Sequence, residues 1–442
     1  MNTSYTHKNV DRLSYQIREI VEVAKHIETL NPEMNITWEN IGDPIVKNWC
    51  VPGFLKTLLK EEIDNPTDRS FGYAHSRGIP EVRAWVAAQA QKMSPSCTLD
   101  ADDVVFTSGL GSAIAIMYQM FDAGARVLLP SPTYPTHASF EAFHAGREPL
   151  FYQLDPENNW QPDISSIESQ LDAHPEIAAI LIINPNNPTG TVHTKEVLEK
   201  IVEIAKKHGI MIISDEVYFR MVYDGEQHVQ ITELAAGRVP LIVMRGLSKD
   251  IPWPGGRCGW LEFHNMALQE RTLQYAKAVK QRILMEVCAT RLPQQITPAL
   301  YDHPEFPAWI EEYNKGLEDN AHAISSILST SPYLTVNRTK GAFYMMPLFK
   351  EGMLKPGQTL PIAHDEVRKF IEEKVADPDM PLDQRFVYYL LGYTGICVVP
   401  ASGFYSGRSG FRLTTLERDP KKRDATYTTL VDAIDRYVTS SV

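Results

Sequence analysis

The sequence predicts an α/β fold, in which a mainly parallel β-sheet is covered by helices. Between residues 103 and 262, short apolar runs rich in β-branched residues alternate with segments of helical spacing. Each run ends in polar or turn residues, as buried strands do. The chain has 442 residues, 43% of them hydrophobic, so it is long enough for a large core and two or three domains.

Five runs are predicted to be strands of this sheet. In chain order they are DVVFTSG, ARVLLPSPTY, IAAILIINPNNPTG, IMIISDEVY and PLIVMRGLSK. Between the third and fourth runs, apolar residues recur at helical spacing from Thr194 to His208. Thr194 is a suitable N-cap and Gly209 is a suitable C-terminal stop, so a helix is predicted between them.

The chain is predicted to contain two domains and an N-terminal segment. Residues 66–318 are assigned to a large domain that holds the sheet. Residues 319–442 combine a helical stretch, short strands and a polar, proline-containing segment at 349–385 whose role the sequence does not identify, and they predict a smaller α+β domain. Residues 1–65 are helical and polar and could pack on either part; we assign them to the smaller domain.

Charge and composition exclude several classes of protein. A net charge of −12 argues against nucleic-acid binding, which needs clustered Lys and Arg. The longest clean apolar run, Ile177 to Ile183, is far shorter than the ~20 residues of a membrane span, and no apolar segment of signal-peptide type begins the chain. Five dispersed cysteines indicate reduced thiols in a cytoplasmic protein, and no Cys/His spacing indicates a metal site.

The ends of the five runs predict one binding site. In a doubly wound sheet, ligands bind at the C-terminal ends of the strands, so the residues that follow the runs are expected to converge. These residues are 108–109, 132–134, 184–190, 215–218 and 246–249.

Two charged residues at these ends are candidates for catalysis. Lys249 follows an apolar strand within a Gly/Pro-rich stretch, and burial would favour its neutral, nucleophilic amine. Taken alone, its position is more typical of a solvated lysine at a strand end. Asp215 ends the run IMIISD and is either a turn or cap residue or an anion that faces a cationic ring nitrogen.

Further candidates are an anion-binding turn, a proline turn and two arginines. TSGLGSA, residues 107–113, joins a strand to a helix and could hold a phosphate, but Ile114 breaks the dinucleotide fingerprint and no P-loop lysine follows. Asn187-Pro188 lies in a turn where an X-Pro bond can be cis. Arg257 and Arg412 suit planar anions or structural salt bridges.

The order and spacing of these motifs resemble the fold-type-I pyridoxal 5′-phosphate (PLP) enzymes, specifically the class I/II aminotransferases of the aspartate, alanine and tyrosine aminotransferase type. The resemblance extends from NIGDP near residue 40 to FRLTT near residue 415. It includes YAHSRGIPEVR, PTYPTH, NNPTG, SDEVY, a Ser-Lys pair followed by arginine eight residues after the lysine, and GFRL. It implies a large domain with a mainly parallel seven-stranded sheet and a smaller α+β domain.

The resemblance also implies a PLP site. Its cofactor-binding residues would be Gly109, Leu110, Gly111, Tyr134, His137, Asn187, Asp215, Tyr218, Ser248, Lys249 and Arg257, with Tyr73 reaching the phosphate of a neighbouring subunit. Lys249 would form the Schiff base with the cofactor and shuttle the Cα proton. Asp215, supported by His137, would keep the ring nitrogen protonated, so that the ring accepts electrons.

The remaining implied roles concern the ring and the substrate. Tyr218 and Asn187 would hydrogen-bond the ring hydroxyl, and Tyr134 would stack on the ring face. Gly109, Leu110 and Gly111 would give backbone contacts to the phosphate, joined by Ser248 and Arg257. The substrate α-carboxylate would bind Arg412, with Asn187 and the backbone of Gly42 also at the substrate.

Four positions depart from the family pattern or remain open. Gly246 replaces a hydroxyl residue that many relatives have three residues before the lysine, and Leu110 replaces a smaller residue. Glu286 or Arg291 could select the substrate, or could be ordinary loop charges.

The predicted function is a PLP-dependent aminotransferase. A homodimer would move an amino group from an L-amino acid to a 2-oxo acid by a ping-pong mechanism, with Lys249, Asp215 and Tyr218 as catalytic residues. The same scaffold also supports a C–S lyase that catalyses β- or γ-elimination, and a PLP-binding regulator is an alternative of another class. The sequence does not identify the amino donor or the oxo-acid acceptor.

Overall fold

The structure is a computed structural model that describes residues 5–13 and 16–440. Residues 1–4, 14, 15, 441 and 442 belong to the predicted N-terminal segment and C-terminal domain, and they lie outside the described residues. Within the described part of the chain, no helix is long and apolar enough to cross a membrane.

Fifteen strands occur in the described residues. They are β1 (Thr37–Trp38), β2 (Val104–Thr107), β3 (Arg126–Ser131), β4 (Leu150–Asp155), β5 (Gln161–Pro162), β6 (Ile177–Ile183), β7 (Met211–Asp215), β8 (Leu241–Gly246), β9 (Gly259–His264), β10 (Leu334–Thr335), β11 (Tyr344–Met345), β12 (Leu348–Phe349), β13 (Ile396–Cys397), β14 (Val399–Pro400) and β15 (Phe411–Thr414).

Fourteen α-helices occur in the same residues. They are α1 (Gln16–Leu30), α2 (Gly53–Ile63), α3 (Pro80–Met93), α4 (Leu110–Gln119), α5 (Pro135–Ala145), α6 (Ile164–Ala173), α7 (Lys195–His208), α8 (Ile231–Ala235), α9 (Glu270–Leu284), α10 (Arg291–Tyr301), α11 (Phe306–Leu328), α12 (Asp365–Lys374), α13 (Leu382–Thr394) and α14 (Pro420–Thr439). Short 3-10 turns join several of them, among them Pro254–Gly256 between β8 and β9.

The central sheet has eight strands in the order β2-β9-β8-β7-β6-β3-β4-β5. The five predicted runs correspond to β2, β3, β6, β7 and β8, which run parallel, and β9 is antiparallel to both of its neighbours. The predicted count of seven is one too few, because β5 adds a two-residue antiparallel edge to β4. Its Pro162 is compatible only with an edge position, since proline lacks a backbone donor for a further strand.

The predicted helix between the third and fourth runs is confirmed as α7. The Thr194 hydroxyl accepts a hydrogen bond from the Val197 amide (3.3 Å), which satisfies one of the free N–H groups of the first turn. Gly209 adopts φ 65°, a left-handed conformation that glycine tolerates best, and ends the helix.

The N-terminal segment, which the sequence could place on either part, packs on both. Its residues 9–12 and helix α2 lie against the larger part, at α5 and α10, and its helix α1 and strand β1 lie against the C-terminal part. Helix α1 packs on α12 and α13, and β1 pairs in parallel with β13 through Thr37–Ile396 and Trp38–Cys397. The polar segment at 349–385 contributes α12, whose Val367 and Ile371 are fully buried in the same core. The boundaries at residues 65/66 and 318/319 stay predictions.

Candidate active site

The polar residues that follow the parallel strands line one cavity of about 730 Å³, as predicted. The cavity lies at the C-terminal ends of the central strands, where loops rather than the sheet present side chains. From the predicted set it is lined by Gly42, Leu110, Gly111, Tyr134, Asn187, Asp215, Tyr218, Ser248, Lys249, Arg257 and Arg412.

Lys249 is held between buried apolar neighbours and projects its amine into this cavity. Leu247 and Ile251 are fully buried on either side of it, so the backbone of the loop after β8 is anchored. The Lys249 Nζ donates a hydrogen bond to the carbonyl oxygen of Gly42 (2.7 Å) and lies 5.4 Å from the centre of the Phe343 ring. The N-terminal segment therefore contacts the lysine directly.

Close packing of β8 on β9 explains the glycine at position 246. A Cβ atom there would lie 2.7 Å from the carbonyl oxygen of Cys258, which is too close for any side chain. A hydroxyl residue at this position would push the two strands apart, so this chain presents none from position 246.

Asp215 is buried at the end of β7, with each carboxylate oxygen hydrogen-bonded. One oxygen accepts from the Val217 amide (3.2 Å) and the other lies 3.2 Å from His137 Nε2. A carboxylate only accepts, so His137 donates, and its Nδ1 can then accept from the Tyr118 hydroxyl at 3.5 Å. Burial raises the pKa of Tyr118, which keeps it a neutral donor. Sequence reasoning missed Tyr118, which lies within an ordinary apolar helix.

The turn between β2 and α4 lies against Arg257, and together they form a cradle whose charge suits an anion. Helix α4 begins at Leu110, so its unpaired amides and positive dipole end face the cavity. Gly109 has φ 80°, and a Cβ atom there would collide with the Arg257 guanidinium. Arg257 also donates a hydrogen bond to the Ser108 carbonyl oxygen (3.2 Å), so its guanidinium lies next to the N-terminal end of α4.

Arg412, in strand β15 near the C-terminus, is buried between two aromatic rings. Its guanidinium lies 4.5 Å from the centre of the Tyr344 ring and 4.8 Å from that of Phe404. It donates to Asn187 Oδ1 (3.4 Å) and to the Asn40 carbonyl. This arrangement presents a planar cation that suits a carboxylate.

A sequence family described as aminotransferase class I and II matches residues 52–426. The chain belongs to this family.

Similar proteins agree with this membership. The aminotransferase is 40% identical to an uncharacterized aminotransferase of Methanocaldococcus jannaschii over 96% of this chain and 97% of the other. It is 30% identical to an alanine aminotransferase of Mycobacterium tuberculosis, over 75% of both chains. An alanine aminotransferase structure from Pyrococcus furiosus superposes with a TM-score of 0.83 at 27% identity, covering 97% of this chain and 99% of the other. The protein is therefore an enzyme that transfers amino groups.

Several residues of the aminotransferase reach the cavity without having been predicted. Tyr344 accepts a hydrogen bond from the Tyr218 hydroxyl (3.1 Å), and its own hydroxyl occupies the space that a Cβ at Gly42 would need. Helix α1 also lines the cavity, with Ile17, Arg18, Val21, Glu22 and Lys25. No local pattern marked them, because they approach the cavity only through tertiary packing.

Other predicted residues of the aminotransferase lie elsewhere. Tyr73 is 82% exposed, and its carbonyl oxygen accepts from Arg291 (2.6 Å). Glu286 pairs with Arg282, and neither Glu286 nor Arg291 lines the cavity of this chain.

The turn at Asn187-Pro188, where an X-Pro bond can be cis, holds a trans bond. The cis peptide bonds of the described residues are Ser131-Pro132 and Asn184-Pro185, not Asn187-Pro188.

Proposed function

We propose that this aminotransferase uses PLP to move an amino group from an L-amino acid to a 2-oxo acid by a ping-pong mechanism. The observation that carries the proposal is one cavity that combines the Lys249 amine, the buried Asp215 carboxylate and the buried Arg412 guanidinium. When bound, PLP supplies an aldehyde that reacts with amines and a pyridinium ring that accepts electrons.

The residues present fit the two ends of that cofactor. The phosphate would bind the backbone of Gly109, Leu110 and Gly111, with Ser248 and Arg257 beside them; the collision that a Cβ at Gly109 would produce supports this close approach. At the other end, Asp215 lines the cavity with both oxygens already oriented by Val217 and His137, as a group facing a protonated ring nitrogen requires.

Other residues that line the cavity would hold the cofactor ring and the substrate. Tyr218 and Asn187 would bind the ring hydroxyl, and Tyr134 would stack on the ring face. Arg412 would bind the substrate α-carboxylate, helped by Asn187 and the backbone of Gly42. When PLP binds, Lys249 would give up its hydrogen bond to the Gly42 carbonyl oxygen and bind the cofactor instead. Its amine would also move the Cα proton of the substrate.

A second copy of the chain would complete the site. Tyr73 and Phe71 are exposed by 82% and 71%, and they point to an intermolecular contact rather than to a monomer surface. We propose a homodimer in which Tyr73 reaches the cofactor phosphate of the partner. The cytoplasmic location, inferred from five free cysteines, stays a prediction.

Replacement of Arg412 by alanine is expected to weaken all amino-acid and oxo-acid substrates by a similar factor. Removing one partner of a buried charge pair costs ~2–5 kcal/mol, so kcat/KM should fall by about 30-fold or more. Steady-state kinetics with several donors and acceptors measure this. Arg408→Ala, at an exposed arginine paired weakly with Glu157 (3.9 Å), is the control. Loss confined to one substrate would instead assign Arg412 to side-chain recognition.

An acceptor-free assay tests the reaction class. Because relatives include alanine aminotransferases, L-alanine is the first donor to test, with further amino acids in parallel. The expected result is one stoichiometric conversion of bound cofactor to its pyridoxamine form, reversed by an oxo acid. Continuous ammonia release from cysteine or cystathionine would contradict transamination and establish the lyase alternative.

A further inference from the structure

Asp250, the residue directly after Lys249, is a fully buried carboxylate outside the cavity lining. It is 0% exposed, and the Tyr301 hydroxyl at the end of α10 donates to its two oxygens at 2.9 and 3.1 Å. The Nε of Arg220 lies 3.8 Å from one of these oxygens. The two neighbouring side chains thus point to different surroundings. Lys249 lines the cavity, whereas Asp250 points away from it to Arg220 and Tyr301.

Arg220 connects the Asp250 carboxylate to the segment after β7, which carries Tyr218. It lies two residues after Tyr218, in the segment that follows β7. Its guanidinium lies 4.3 Å from the centre of the Tyr301 ring and 4.5 Å from that of Phe219, so stacking fixes its position. The cluster Arg220–Asp250–Tyr301, in which Asp250 and Tyr301 are buried, therefore joins the segment after β7, the loop of Lys249 and the end of α10.

The ionised form of Asp250 carries a desolvation cost. Burial raises the pKa of Asp250 to about 6, so at neutral pH the fold holds an ionised group that it disfavours. Leu247 and Ile251 already anchor the same loop by apolar burial. A buried charge that opposes folding beside a reactive residue indicates a functional role.

We propose that Asp250 is a positioning residue, which sets the direction of the Lys249 side chain by bracing its loop against Arg220 and Tyr301. This inference rests on the proposed role of Lys249. Asp250 touches neither substrate nor cofactor; it acts through the backbone that it shares with Lys249.

The test compares Asp250→Asn, Tyr301→Phe and their double variant with the wild-type enzyme. Asparagine keeps the size of the side chain and removes the charge, and phenylalanine keeps the ring under Arg220 and removes the hydroxyl. Asp302→Asn is the matched control, since this exposed neighbour of Tyr301 accepts from Trp85 Nε1 (2.7 Å) away from the cavity. Each variant is assayed for kcat, KM, thermal unfolding, and the rate at which apoenzyme forms the lysine-bound chromophore with PLP.

Asp250→Asn is expected to lower kcat and the chromophore rate about tenfold, because small displacements of a reacting group reduce rates strongly. KM should change less than about twofold, and the unfolding midpoint at pH 7.5 should not fall. Tyr301→Phe should lower both rates about threefold, and the double variant should be no worse than Asp250→Asn, because the two groups act as one unit.

The proposal is overturned if Asp250→Asn and Tyr301→Phe leave kcat and the chromophore rate within about twofold of wild type, whatever their stability. If Asp250→Asn does not fold, Tyr301→Phe decides by the same criterion. Failure of the underlying role of Lys249 is recognised separately, because Lys249→Ala would then still form a borohydride-reducible adduct at another residue.

Discussion

Replacement of Lys249 by alanine is expected to abolish turnover and the visible absorption of lysine-bound PLP while leaving the fold intact. In the proposed function this side chain would supply both the amine that holds the cofactor and the base that moves the Cα proton. General acid–base catalysis alone contributes ~10²–10⁴-fold, so kcat should fall by about 10⁴-fold. Absorbance spectra, kcat and the thermal unfolding midpoint are measured together.

The fold should survive because the cavity end of Lys249 makes one hydrogen bond, to Gly42, and the loop is anchored by Leu247 and Ile251. Lys206→Ala, on the exposed side of α7, is the control and should retain the absorption band. A PLP adduct of Lys249→Ala that borohydride can reduce would show that another lysine binds the cofactor.

The second large effect is expected for Asp215→Asn, which should still bind PLP but lose most of its turnover. In the proposed function Asp215 would hold the ring nitrogen of PLP protonated, which asparagine could not do, and the bound ring would then be a weaker electron acceptor. Loss of a hydrogen bond between charged groups costs up to ~3 kcal/mol, which corresponds to a fall in kcat on the order of 100-fold. Single-turnover kinetics of the amino-donor half-reaction measure the step directly.

The position of Asp215 makes this variant informative. The hydrogen bonds from Val217 and His137 can be retained in part by the asparagine side-chain oxygen, so the loop should keep its shape. Asp172→Asn, at an exposed position of α6, is the control and should behave as wild type. Near-normal activity of Asp215→Asn would remove Asp215 from the proposed role.

Local sequence patterns predicted much of the sheet. The run from Ile177 to Ile183 became β6 with the same bounds, and Thr194 and Gly209 delimit α7 as expected. These features depend on residues within a few positions of one another, where apolar periodicity and capping preferences act. Strands β4, β5 and β9 were not identified, since their residues mix polar and apolar types and their pairing comes from distant strands.

The sequence by itself determined the strand ends, and with them the loops that bring Lys249, Asp215 and Asn187 together, because a parallel sheet places all such ends on one edge. Only the tertiary structure decided what meets these residues from afar. Lys249 contacts Gly42, 207 positions earlier, and Arg412 contacts Asn40, 372 positions earlier. The same holds for the bond between Tyr301 and Asp250, 51 positions apart. Such contacts arise when separate elements pack to bury their apolar faces, and no local periodicity encodes which elements will meet.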